Sequence, residues 1–147
     1  FQHNAYNLGI EHFHRTLEKF PEVNFIGHAQ TWWGNVDKKH KQEVMYPKTK
    51  VTPGGITDKL LSNYPNMFGD FSAGSGLNSM LRDEEQAKEF IARHPDQLLY
   101  GSDCPDVAGR GGGCKGSVIL STIRRLAKDK KTERKILHGN AKKLFKL

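Results

Sequence analysis

Three short apolar runs, each preceded by a helix-like or polar turn-rich stretch, most limit what this chain can fold into. Ahead of the first run, apolar residues fall at Ile10, Phe13, Leu17 and Phe20. Those offsets of three and four make one helical face, which Pro21 stops. "VNFIGH" (23–28) then reads as a buried strand. A helix beginning at Thr57 and ending at Tyr64-Pro65 precedes the second run, "NMFGDF" (66–71). A third, from about Asp83 to Arg93 with Ala87, Phe90 and Ile91 inward, precedes "QLLYG" (97–101). Helical pattern returns near 118–127, 133–138 and 141–145. The segments 29–55, 72–82 and 102–116 read as polar or Gly-rich loops. Helix alternating with short, continuously apolar strand is the pattern of βαβ units around a parallel sheet buried on both faces.

Composition narrows the function classes. The 147 residues suit one domain and include no apolar run of about 18 that would span a membrane. The opening "FQHNAYNLGIEHFHRTLEKF" lacks the layout of a signal peptide. Lys and Arg number 23 against 16 Asp and Glu, with much of the excess in "RRLAKDKKTERK" (124–135). No aromatics interleave with that charge, so it reads as a solvated helix face, and neither specific nucleic acid nor membrane is expected as a partner. Cys104 and Cys114 are too few for a disulfide scaffold. The preferred reading is two reduced thiols in a cytoplasmic protein, with a single bridge as the alternative.

Chemistry in parallel α/β folds gathers at the carboxyl ends of the strands. There the three strands deliver His28, Asp70 and Asp103. Ser72 and Gly74 give Asp70 an equally good reading as a turn residue. His28 and Asp103, a nitrogen and an anionic oxygen from different strands, suit a divalent cation. The loop "GRGGGCKGS" (109–117) fails the phosphate-loop pattern because Gly116 follows Lys115. "GSD" is not a nucleophile elbow. A Cys104 nucleophile would sit between Asp103 and Asp106, which disfavour a thiolate.

"NFIGHAQ", "YPNMFGDFSAGSG", "LLYGSDCPD" and "RKILHGNAKKLF" together resemble, in this order, the C-terminal half of the amidohydrolase-related family of metal-dependent hydrolases and decarboxylases. The resemblance covers nearly the whole chain. It implies the C-terminal half of a (β/α)8 TIM barrel, with three to four parallel strands. Residues 1–147 would form a single half-barrel domain, its N-terminal half absent. Asp103 would bind the metal and move protons, and His28 would be a ligand or an acid/base group. Asn140 and Ala141 would belong to a structural closing helix. The cofactor would be a divalent metal, zinc by expectation. It would acidify a bound water for attack on a carbonyl, or hold a carboxylate or hydroxyl of a small-molecule substrate.

The sequence departs from that family in its ligands. The His-x-His pair of the first barrel strand is missing; His12 and His14 spell it inside a helical pattern, where they face apart. His3 is the one candidate for the ligand expected from the fifth strand. Trp32, Trp33 and Arg110 are candidate substrate contacts. A full barrel needs roughly 200–250 residues, so the chain alone is expected to be inactive, and to self-associate or to need the other half. The rival reading is a non-catalytic, self-associating half barrel or fragment, with contacts centred on Phe25, Ile26, Met67, Phe68, Leu98 and Leu99.

Overall fold

The computed structural model describes residues 10–105, 107–109 and 113–147. A turn of 3-10 helix, Ile10–His12, leads into α1 (His14–Lys19) and then β1 (Phe25–Gly27). α2 (Ala29–Gly34) and α3 (Ile56–Asn63) precede β2 (Met67–Phe71). α4 (Ala73–Leu81) and α5 (Glu84–Arg93) precede β3 (Leu98–Tyr100). α6 (Gly116–Leu126) follows, and then α7 (Lys130–Arg134) runs through a π-helical turn, Lys135–Gly139, into α8 (Asn140–Phe145). The strands are parallel in the order β1-β2-β3, with Ile26 level with Phe68 and Asp70 level with Leu99. Parallel strands with helices between them make this a partial (β/α)8 barrel.

Period-two alternation divides the strand residues between two faces. Met67, Phe71 and Leu98 are buried in one core with Leu60 and Leu61 of α3, Phe90 and Ile91 of α5, and Ile119 and Ile123 of α6. Ile26, Phe68 and Leu99 alternate with that set; Ile26 is 41% exposed and Leu99 is 4% exposed. The apolar residues expected to mediate association are therefore split: Met67 and Leu98 are consumed by the helix layer, and Ile26 stays open.

Two helices occupy segments that sequence pattern assigns to loops. In α2, Trp33 stacks on Phe71 with ring centroids 4.4 Å apart and planes within 10°. A Cβ on Gly27 would collide with the indole of Trp32, so the bare strand end is what admits that ring. α4 contains Gly74, Ser75 and Gly76, poor helix formers. A Cβ on Gly76 would stand 2.8 Å from the carbonyl carbon of Phe71. Close approach of α4 to β2 thus selects glycine, and packing overrides propensity.

Polar anchors fix the remaining elements. Asn140 donates to the carbonyls of Pro95 (2.9 Å) and Leu98 (2.8 Å), tying α8 to the start of β3. The basic stretch 124–135 is laced by ion pairs, Arg124 and Lys130 to Glu133 and Lys135 to Asp96. Asp58 of α3 accepts from Arg93 and, at 2.6 Å, from Nε2 of His94, whose side chain is 3% exposed.

Burial pushes the pKa of His94 below its ordinary value of 6.5, against the opposing hydrogen bond to Asp58. The unfolded chain then takes up the proton more readily than the folded one. The stability from a neutral His94 is complete above about pH 6.5 and is lost as pH falls through that value towards the lowered one. We expect the urea midpoint to drop between about pH 7 and about pH 5.5, and His94→Gln to flatten part of that slope. An unchanged slope would assign the effect to other groups, His40 among them, which burial lowers in the same sense.

Candidate functional site

The backbone turns sharply where each strand ends. Ala29 after β1, Ala73 after β2 and Asp103 after β3 have φ of 67°, 56° and 48°. Left-handed geometry costs a residue with a Cβ about 1 kcal/mol or more and persists where its surroundings impose it. All three positions lie beyond the carboxyl end of a strand, and the polar side chains gather at that edge.

His28 follows β1, and Asp70 lies in β2. Nδ1 of His28 is 3.2 Å from Oδ2 of Asp70 and 3.1 Å from Oγ of Ser72. Ser72 donates to the same Oδ2 at 2.8 Å. Because the serine proton goes to Asp70, the network is satisfied by a proton on Nδ1 of His28, donated towards the carboxylate. This leaves Nε2 as the ring's basic nitrogen. The His28 side chain is 44% exposed and that of Asp70 is 25% exposed, so the ring reaches solvent while its anchor is sheltered. Oδ1 of Asp70 is buried and takes no hydrogen bond among the described residues. Gly101 flanks it: a Cβ there would stand 2.8 Å from that oxygen. Beneath, the indole N–H of Trp33 donates to the backbone carbonyl of Asp70 at 2.8 Å.

A mostly apolar cavity of about 220 Å³ borders His28, lined among others by Phe13, Phe25, Ile26, Thr31 and Trp32. A larger cavity, about 570 Å³, lies at the other end of the strands around Pro65, Gln97 and Asn140, away from this group. Trp32 thus forms a wall beside His28. Trp33, 2% exposed, is buried in the core. His3 and Arg110 lie outside the described residues. Asp103 is exposed, and among the described residues no three His, Cys, Asp or Glu side chains come together to hold a metal ion. Asp103 therefore does not join His28 and Asp70 in such a group. The expectation of two reduced thiols is also corrected: Cys104 after β3 is paired with Cys114 ahead of α6, their Cα atoms 4.4 Å apart.

A family model described as "Amidohydrolase" matches residues 56–147, more than half of the chain. The chain belongs to the amidohydrolase family. The match takes in Asp70, Ser72, Asp103 and Asn140 and stops short of His28, whose place in the site comes from the geometry above. No curated protein and no solved structure matches the chain. Among the described residues no helix is long and apolar enough to cross a membrane.

A catalytic zinc takes about three protein ligands and an open position. The described residues offer Nε2 of His28 and the buried, unpartnered Oδ1 of Asp70 at this edge, and no third. The donor set of the described residues does not by itself fit the metal that the family implies. Purified without chelator, the chain should carry less than about a tenth of an equivalent of zinc by elemental analysis. A full equivalent lost on His28→Ala would show that further ligands join His28.

Proposed function

We propose that this chain contributes the acid/base part of a hydrolase or decarboxylase site acting on a small carboxylated or lactone substrate. The observation that supports the reading is the anchoring of the His28 ring by Asp70 and Ser72 at the carboxyl edge of the sheet. His28 takes or delivers the proton at Nε2. Asp70 fixes the ring's orientation and stabilises the imidazolium that forms. Ser72 holds the Asp70 carboxylate in place. Trp32 and Ile26 give the adjoining cavity an apolar wall that excludes water from one side of the ring. Such a positioned acid/base contributes typically 10²–10⁴-fold to rate, about 2.7–5.4 kcal/mol of barrier.

Three strands do not close a barrel. β1 and β3 each pair on one side among the described residues, and Ile26 on β1 is 41% exposed on its face of the sheet. We propose that further barrel strands cover that face and bring the ligands of a divalent metal, zinc being the expected ion. His3 and Asp103 would add to that set, with Arg110 as a substrate contact. A second copy of this chain is the other occupant of that face. No step of the acid/base chemistry described here passes through the metal.

The test supplies the other barrel half, carrying a His-x-His strand, as a separate polypeptide with zinc, and assays a panel of carboxylated aromatics and lactones. Turnover should appear only with both pieces present and should fall at least about 100-fold with His28→Gln. Turnover that survives His28→Gln would overturn the role of His28. Failure of the pieces to associate, with self-association of this chain in sedimentation, would favour the non-catalytic reading.

A further inference from the structure

The loop between β3 and α6 is fastened at both ends by contacts unrelated to the His28 group. Cys104 and Cys114 are paired across it, ten residues apart in sequence. Tyr100 Oη donates to the carbonyl of Gly116 at 3.3 Å, and the N–H of Cys104 points to Oγ of Ser102 at 3.4 Å. A Cβ on Gly116 would stand 2.8 Å from Cβ of Ser102 and 3.4 Å from Sγ of Cys104, so the start of α6 is pressed against the bridge. Asp103, next to Cys104, has the left-handed backbone with φ of 48°. The pair also walls a cavity of about 330 Å³ together with Tyr100, Ser102, Ala108 and Ser117. Both cysteines are partly exposed, within reach of a dissolved thiol.

We propose that the Cys104–Cys114 pair is a redox switch that sets how firmly the end of β3 is held to the start of α6 and, with it, the placement of Asp103. Oxidised, the bridge joins the strand end to the start of α6 and keeps Asp103 in its left-handed turn. A dithiol reductant opens it. One reductant thiolate attacks a cysteine sulfur, the Sγ–Sγ bond breaks, and the second reductant thiol resolves the mixed disulfide. Two electrons and two protons pass to the protein as two thiols, and the reductant leaves as a disulfide. Among the contacts of the described residues, those of Tyr100 and Ser102 remain, and the cavity loses a wall. Any effect on chemistry rests on the role proposed for Asp103; the opening of the loop does not.

Thiol titration of the denatured chain, purified without reductant, should find no free thiol, and two after dithiothreitol. Hydrogen exchange over peptides spanning residues 98–118 should speed up roughly tenfold in dithiothreitol, while peptides across β2 keep their rate. Cys104→Ser without reductant should reproduce the reduced profile; if that variant does not fold, the reduced wild-type chain decides alone. Two free thiols before reduction would overturn the proposal, as would equal exchange in both states. Acceleration across β2 as well would also overturn it, because the bridge would then be a structural staple and not a switch.

Discussion

Alternation along β2 is the constraint on which the rest depends. Met67, Gly69 and Phe71 turn one way and build the core with the helices; Phe68 and Asp70 turn the other way. A shift of one residue in pairing would exchange the two sets, burying a carboxylate among apolar side chains and exposing Met67 and Phe71. Burial of the first set, worth roughly 25 cal/mol for each Å² of apolar surface removed from water, therefore also fixes where Asp70 points. The parallel register with β1 then brings His28 to the same end. Core and candidate site are two consequences of one register.

The glycines and tryptophans belong to the same account. Gly27 and Gly69 leave the helix-side face bare where the indole of Trp32 lies. Trp33 fills the space over Phe71 and reaches back to the carbonyl of Asp70. The residue that carries the side chain of the site is thereby also held through its backbone from the core side. The left-handed turns at Ala29, Ala73 and Asp103 direct the chain away from all three strands at the edge where the polar groups collect. Around the third turn, packing is supplemented by a covalent tie.

Much of this was legible in the residues. The three strands stand out as short apolar runs bounded by Pro and Gly, and the helix from about Asp83 to Arg93 as a periodic face with Ala87, Phe90 and Ile91 inward. His28, Asp70 and Asp103 could be placed at strand ends by counting alone. Ser72 was open to the same argument, since it lies two residues beyond Asp70, where side chains share a face. What could not be read is what depends on close approach. α4 carries a Gly/Ser composition that signals a loop, and only contact with the Phe71 backbone explains the glycine at 76. Trp33 offered no sign of which way it faces, because a tryptophan suits a pocket wall and a core equally well. The pairing of Cys104 with Cys114 depends on a loop path that sequence spacing does not set. Counting strand ends does not give the conformation there: Asp103 has a left-handed backbone and is exposed.

The geometry has Asp70 orienting His28 through Nδ1, with Nε2 left free to take a proton. Long-range proton–nitrogen correlations on the ¹⁵N-labelled chain read this directly, at about pH 8 where a neutral imidazole shows its tautomer. His28 should carry its proton on Nδ1, and Asp70→Asn should release the ring to a mixture of tautomers. A proton resident on Nε2 in the unaltered chain, or a tautomer that Asp70→Asn leaves unchanged, would overturn that role of Asp70.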